Sequence, residues 1–269
     1  MLILNSDQLR LKNIKNLVDI HGLVLLRGFL KPLDEAELNG LVTQHFGARQ
    51  LRFRKLGNSQ GSLLCKTGLE WHSDGHACYT VLHCHKTPQR GGDTLFTSSY
   101  GILDRLDDEI RKIAEQCIAV YGNRYTFCKG SPSAVDCNKG LRMNETGTKL
   151  LKPVRNWATN PEKDDSTFSM PLIEYDEYGR GFLVLDIRHF IQFEGWEVDA
   201  SRRFLDTLLK MGLLPIKQSK LDYRTLLAVD DTAEFDANCV YRHKWMPNDL
   251  MIWDNNQVVS WILFSLILF

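Results

Sequence analysis

Two side chains that can bind a metal ion stand two positions apart in the sequence, at His72 and Asp74. An imidazole nitrogen and a carboxylate oxygen at this spacing can turn toward one point, and they are two of the three ligands of a 2-His-1-carboxylate iron(II) site. The pair alone is a weak signal, because roughly 0.6 such pairs are expected by chance in a chain of this composition. The alternative is a surface turn that the Asp74 side chain caps, so the surrounding sequence must decide.

Ordered blocks of sequence surround this pair. Residues 79–85 are branched and aromatic like a strand, and residues 87–90 (Thr-Pro-Gln-Arg) lead into residues 91–96 (Gly-Gly-Asp-Thr-Leu-Phe). Two further blocks flank them, residues 21–29 (His-Gly-Leu-Val-Leu-Leu-Arg-Gly-Phe) and residues 245–255 (Trp-Met-Pro-Asn-Asp-Leu-Met-Ile-Trp-Asp-Asn). In this order the blocks resemble the TauD/TfdA family of iron(II)- and 2-oxoglutarate-dependent dioxygenases, over nearly the whole chain.

The resemblance implies roles for several residues near the pair. His72 and Asp74 would be catalytic iron(II) ligands, and the Thr94 hydroxyl would hold the distal carboxylate of the cosubstrate 2-oxoglutarate, although a Thr on a strand is also simply a good β-former. Gly75 and Ala77 match positions that line the family's substrate pocket, with a tight turn that requires Gly as the alternative. The implied oxidoreductase reaction hydroxylates a small, anionic organic substrate and decarboxylates 2-oxoglutarate to succinate.

The sequence departs from the family where the second iron-binding His is due. In the family a short strand after Trp-Asp-Asn delivers that His, and counting on from Trp253 places Ser260 at its position. A neutral hydroxyl is a poor iron(II) ligand beside an imidazole and a carboxylate. The family also places an Arg further on that grips 2-oxoglutarate, and residues 261–269 contain no basic residue. We therefore expect weak or absent turnover, and no halogenation, because the relatives that halogenate lack the carboxylate that Asp74 retains here.

Other functions remain open beside the oxygenase. One is a non-catalytic pseudoenzyme or binding barrel of the same fold, and another is a cupin-like metal or sugar binder. A zinc site drawn from His76, Cys78, His83, Cys84 and His85 is disfavoured. Alternation along a strand places His83 and His85 on one face and Cys84 on the other, so these neighbours do not converge as tetrahedral ligands of one zinc ion.

Composition limits the partners and the compartment. The 33 basic and 33 acidic residues cancel, so the sequence gives no electrostatic reason to expect nucleic acid or a membrane surface as a partner. The N-terminus lacks the basic and apolar segments of a signal peptide, and the seven cysteines are odd in number with no CxxC motif. We expect a cytoplasmic protein with reduced thiols that acts on a small molecule.

The hydrophobic pattern predicts helices and short strands in alternation. Capping signals and periodicity place helices at residues 6–18, 35–46, 98–106, 107–117 and 199–212, the last capped by Asp199 and ended by Gly212. Strands are predicted at residues 23–26, 79–85, 94–96, 239–245 and 250–253, with a hairpin at 170–187. Turns join the later strands, which favours an antiparallel, mainly β architecture of the α+β class. The resemblance implies its particular form, a double-stranded β-helix (jelly roll) with flanking helices.

We predict a single domain, residues 1–269, with two irregular parts. Residues 121–168 are rich in Gly, Asn, Lys, Ser and Pro, and we predict a lid over the active site, as the family has there, or a disordered insertion. The tail at 260–269 is uniformly apolar, unlike a strand with one face toward a cofactor, and it is too short to span a bilayer. We expect family sequence to end near residue 259 and the tail to come from a truncated or alternatively processed message.

Overall fold

The computed structural model describes residues 2–5, 13–47, 69–73, 78–87, 90–121, 168–185, 187, 190–213, 235–262 and 265–266. Its helices are α1 (Ile14–His21), α2 (Glu35–Phe46), α3 (Ser99–Asp104), α4 (Asp108–Gln116) and α5 (Val198–Leu213). Its strands are β1 (Leu2–Asn5), β2 (Leu23–Arg27), β3 (Leu69–His72), β4 (Tyr79–His83), β5 (Arg90–Gly91), β6 (Thr94–Ser98), β7 (Ile118–Tyr121), β8 (Phe168–Pro171), β9 (Ile173–Tyr175), β10 (Gly181–Leu183), β11 (Phe190–Phe193), β12 (Val240–His243), β13 (Leu250–Asp254), β14 (Val258–Ile262) and β15 (Ser265–Leu266). The fold is mixed α+β.

The first of two four-stranded sheets has the order β1-β2-β13-β4. Strands β1 and β2 run parallel, whereas β13 is antiparallel to both β2 and β4. One face packs against α1 and α2 through a cluster that includes Val24, Leu26 and Ile252. Helix α2 begins as predicted, because Asp34 and Glu37 each accept a hydrogen bond from the other's backbone N–H and satisfy two donors of the first turn.

The second four-stranded sheet has the order β12-β6-β14-β3 and is antiparallel throughout. Its outer face carries Trp71, Leu95 and Val259 into a large apolar cluster. Helices α3 and α5 close that cluster with residues such as Ile102 and Leu205. The sheet that positions the candidate site is therefore supported from behind by fully packed helices.

The remaining faces of the two sheets pack against each other, and we call them the inner faces. The first sheet contributes Leu25, Met251 and Trp253, and the second contributes Phe96 and Val258. The rings of Phe96 and Trp253 meet edge to face with centroids 5.2 Å apart. Because side chains alternate along a strand, these core residues identify which neighbouring positions also point inward.

The strands predicted on either side of residues 247–249 are confirmed, and the turn joins different sheets. Strand β12 pairs with β6 in the second sheet, whereas β13 lies between β2 and β4 in the first. Asn248 has a φ of 68°, which Asn tolerates better than most residues. The chain thus crosses between the sheets at this turn and links the two inner faces.

Two predicted helix boundaries are wrong. The first helix begins at Ile14 behind an Asn13 cap, not at Ser6, and the strand β1 before it was not predicted. Helix α5 begins at Val198 and continues through Gly212, which therefore does not end it. A Cβ at position 212 would collide with the Ile102 side chain, so this glycine permits α5 to approach α3 closely.

The expectation that the apolar tail is unlike a strand is also wrong at its start. Strand β14 includes residues 260–262 and lies between β6 and β3, and β15 pairs with β5. Backbone pairing with β6 and β3, two strands that lie far away in the sequence, makes residues 260–262 a strand. No helix among the described ranges is long and apolar enough to cross a membrane.

The predicted lid at 121–168 lies outside the described residues except at its ends, where Tyr121 and Phe168 are register partners on β7 and β8.

Candidate metal and cosubstrate site

His72 is the last residue of β3, and the strand is held firmly at that point. The backbone N–H of Ser73 donates to the carbonyl of Leu185 at 2.8 Å, and the N–H of Ile187 donates to the carbonyl of Trp71 at 3.2 Å. Trp71 packs into the outer cluster, so alternation directs His72 to the inner face. The predicted imidazole ligand therefore projects toward the space between the sheets. Asp74, Gly75 and Ala77 lie outside the described residues.

Ser260 is the register partner of His72 across the β14 and β3 pair. Val258 packs into the inner core and Val259 into the outer cluster, so Ser260 shares the inner face with His72. It is 3% exposed, and its hydroxyl donates a long, weak hydrogen bond of 3.5 Å to the backbone carbonyl of His72. The residue at the position where the sequence predicts a second His ligand thus faces the first one directly.

The residues 253–257 fix this register. The Trp253 indole N–H donates to the Asn255 side-chain oxygen at 3.0 Å, and the Asn255 amide donates to the Thr80 hydroxyl at 2.9 Å. The Asp254 carboxylate accepts from the backbone N–H of Asn256 and from the side chain of Gln257, both at 2.9 Å. The Trp-Asp-Asn block therefore begins a turn that side-chain hydrogen bonds hold in place. This turn fixes which residue of β14 pairs with His72.

These residues fit a metal ion only in part. His72 supplies an imidazole on the inner face, but the Ser260 hydroxyl is neutral and directed at a backbone carbonyl. Across the described ranges, no group of three or more His, Cys, Asp or Glu side chains is arranged to hold a metal ion. Among its described residues the site therefore offers one strong protein ligand, and Asp74 would be the second.

Thr94 lies on the same inner face, at the start of β6. It pairs in register with Ile262 of β14, two residues along from the Ser260 rung, and with His243 of β12. It is 1% exposed, and its hydroxyl oxygen accepts a hydrogen bond of 2.9 Å from the indole N–H of Trp245. Asp93, beside it, bonds Arg242 at 2.6 Å and so ties the start of β6 to β12.

A buried polar network behind Thr94 escaped the sequence reasoning. The Asp249 carboxylate is fully buried and accepts two hydrogen bonds of 2.7 Å from the Arg27 guanidinium and one of 2.9 Å from the Met246 N–H. His243 is 1% exposed; its Nε2 lies 3.2 Å from that carboxylate but out of line for a hydrogen bond. Its Nδ1 lies 2.9 Å from the Tyr241 hydroxyl. Burial lowers the pKa of His243, although the Asp249 carboxylate opposes that shift.

His83 and His85 lie close together but away from the inner faces. Their ring centroids are 4.6 Å apart, as the shared strand face predicts. Tyr79 and Val81, which alternate with His83 on β4, pack toward α1 and α2. Burial, followed by the proximity of His85, lowers the pKa of His83.

Comparison with known proteins gives one family and a set of similar folds. The model of the "Taurine catabolism dioxygenase TauD, TfdA family" matches residues 3–259, so the match stops one residue before Ser260. A crystal structure assigned as an alpha-ketoglutarate-dependent 2,4-D dioxygenase from Burkholderia xenovorans is 19% identical, with a TM-score of 0.58, and the match covers 96% of this chain and 81% of that one. AAD-2 in complex with Mn(II) and N-oxalylglycine is 17% identical, with a TM-score of 0.60, and the match covers 97% of this chain and 83% of that one.

A third similar structure is the PvcB protein from Pseudomonas aeruginosa. It is 17% identical, with a TM-score of 0.57, and the match covers 94% of this chain and 74% of that one. At these identities the three structures support a shared fold. Among curated proteins no significant match is found.

Proposed function

Because the chain belongs to the TauD/TfdA family of iron(II)- and 2-oxoglutarate-dependent dioxygenases, we propose that the inner face around His72 is its metal and cosubstrate site and that Ser260 leaves this site one protein ligand short. The family is one of oxidoreductases whose cofactor is iron(II) and whose cosubstrate is 2-oxoglutarate. The two inner faces would form the interior of a double-stranded β-helix, or jelly roll.

Each residue of the site would have a separate role. When bound, iron(II) with 2-oxoglutarate would activate dioxygen, the oxidant that hydroxylates the substrate and converts 2-oxoglutarate to succinate and carbon dioxide. The His72 imidazole and the Asp74 carboxylate would bind the metal. The Thr94 hydroxyl would donate a hydrogen bond to the distal carboxylate of 2-oxoglutarate. Gly75 and Ala77 would leave room for a small, anionic substrate beside the metal. We propose a cytoplasmic location for this activity.

The observation that carries the proposal is the register of Ser260 opposite His72. A His at that position would bring a second imidazole to the inner face from the adjacent strand, where a shared metal could reach both rings. The serine hydroxyl is shorter, neutral and directed at the His72 carbonyl. We therefore expect weak metal binding and weak or absent turnover, with the fold and the Thr94 end of the site intact.

The test is an anaerobic titration of the protein with iron(II) and 2-oxoglutarate. Chelation at a facial iron site gives a visible charge-transfer band, which we expect to be faint in the unaltered chain and strong in Ser260→His. Ser260→Ala is the matched control, and Ser260→Asp supplies a smaller ligand should the imidazole fail to fit. A band of equal strength in the unaltered chain and the alanine control, matching that of Ser260→His, would contradict the proposal.

A second candidate function is a non-catalytic member of the same fold that binds an anion without turnover. Ser260 favours it at the metal end, and the buried Thr94 hydroxyl favours it at the other. Substrate-dependent succinate formation by the unaltered chain would exclude this candidate. Binding of 2-oxoglutarate without any succinate would support it.

A lid at 121–168 remains part of the proposal. Its two ends meet as register partners, Tyr121 on β7 and Phe168 on β8, which is the arrangement expected of an insertion that leaves and re-enters a sheet.

A further inference from the structure

The hydrogen bond between Trp245 and Thr94 assigns a direction to the Thr94 hydroxyl. An indole N–H can only donate, so the hydroxyl oxygen is the acceptor in this bond. The hydroxyl proton must then be donated elsewhere. Within the described ranges no acceptor for that proton is found, although Thr94 is 1% exposed. A buried donor left without an acceptor costs about 1–3 kcal/mol, so its persistence points to a ligand that accepts the proton.

Packing keeps Trp245 in place. Its ring lies edge-on to His243, with centroids 4.5 Å apart and an interplanar angle of 90°. His243 in turn sits beside the Asp249 carboxylate, which the Arg27 guanidinium grips through two nitrogens. These contacts place the partly buried indole beside Thr94, with its N–H on the hydroxyl oxygen.

The position of Thr94 suits one end of a short dicarboxylate. Thr94 and Ser260 lie on adjacent strands with their rungs two residues apart, which separates their Cα atoms by about 8 Å. That separation is comparable with the length of an extended five-carbon dicarboxylate together with its metal contact. A carboxylate is also an acceptor-only group, complementary to a hydroxyl whose acceptor side is already used.

We propose that Trp245 is a positioning residue for cosubstrate binding: its indole N–H occupies the acceptor side of the Thr94 hydroxyl and turns the proton toward the distal carboxylate of 2-oxoglutarate. This inference rests on the proposed function of the site. Trp245 would raise the affinity for 2-oxoglutarate by orienting the Thr94 hydroxyl, and it would not contact the metal.

The test is a double-mutant cycle on 2-oxoglutarate affinity, measured calorimetrically with saturating Mn(II) in the unaltered chain and in Ser260→His. Trp245→Phe keeps an aromatic ring and removes the N–H. We expect it to weaken 2-oxoglutarate binding about fivefold to tenfold, and Thr94→Val to weaken it at least as much. The double variant should be no weaker than Thr94→Val alone, because Trp245 acts only through that hydroxyl. Mn(II) affinity should not change.

Trp253→Phe is the matched control. It removes an indole N–H from the same apolar cluster, but that N–H bonds Asn255. Its effect on 2-oxoglutarate should be the same whether residue 94 is Thr or Val. Three results would overturn the inference. Trp245→Phe could lower the 2-oxoglutarate affinity equally with Thr or Val at position 94, it could leave that affinity unchanged in both, or no variant could bind 2-oxoglutarate. A rise in Mn(II) affinity in Ser260→His would sustain the proposed function even then, so the two failures are distinguishable.

Discussion

The two ends of the inner face of the second sheet differ in how completely their polar groups are supported. At the Thr94 end, Trp245, His243, Asp249 and Arg27 are in continuous contact, and His243 and Asp249 are buried. At the His72 end, Ser260 is the polar side chain among the described side chains of β14, and its hydroxyl makes a long hydrogen bond to a backbone carbonyl. On the proposed function, the polar network near Thr94 would persist without the second metal ligand, because different segments provide the two: β2, β12 and the segment between β12 and β13 provide the network, and β14 provides Ser260.

The largest expected effect at the His72 end is on metal affinity, when His72 itself is replaced. In a Ser260→His background, His72→Ala should lower Mn(II) affinity by at least about 100-fold, since loss even of an outer partner of a metal ligand costs 10-fold to 100-fold. Isothermal titration measures the affinity. In the unaltered chain the same substitution should change little, because binding there is already weak. A large loss in the unaltered chain would mean that its metal site is complete.

The Thr94 end should be the more important for stability. Asp249→Asn removes the charge that Arg27 grips, and we expect a loss of about 3 kcal/mol in the free energy of unfolding, at the lower end for a buried ion pair because the Arg27 side chain is 36% exposed. Chemical denaturation measures it. Asp206→Asn, which breaks the exposed pair with Lys210, should cost less than about 0.5 kcal/mol. Equal losses in the two variants would contradict this account.

Acidification should weaken the Thr94 end through His243. Its folded-state pKa is lowered by burial, so below the unfolded value of about 6.5 the unfolded chain binds more protons than the native one. The free energy of unfolding should therefore fall as pH falls below that value. In His243→Gln the fall should be shallower but still present, because burial also lowers the pKa of His45 and His83. Denaturation at a series of pH values tests this, and an unchanged slope would contradict it.

The smallest effect is expected for Ser260→Ala. The hydrogen bond that it removes is 3.5 Å long, so the free energy of unfolding should change by less than about 0.5 kcal/mol. Mn(II) affinity should also be unchanged. A clear loss of metal affinity would show that the hydroxyl is a ligand after all.

How much the sequence could predict depended on how local the signal was. The cap at Asp34, the turn at 247–249 and the hairpin near residues 173–183 are confirmed, because each depends on neighbours within a few positions. The end of α5 was mispredicted, since Gly212 serves contact with Ile102, which lies far away in the sequence. The strand β14 was missed beyond residue 259, because its pairing partners on β3 and β6 lie far away in the sequence.

The candidate site divides in the same way. Counting from Trp253 selected Ser260 as the residue at the second-His position, and the structure pairs that residue with His72. The hydrogen-bonded turn at 253–257 fixes this spacing along the chain. The pairing of Arg27 with Asp249 spans 222 positions, and no spacing rule could have joined them. The roles of Asp74, Gly75 and Ala77 remain predictions from the sequence.

The most direct test of the missing ligand is the dissociation constant of Mn(II) for the unaltered chain, Ser260→Ala and Ser260→His, measured side by side by titration. We expect similar weak binding by the first two and binding at least about 100-fold tighter by Ser260→His. Binding by the unaltered chain that is as tight as that of Ser260→His would contradict it.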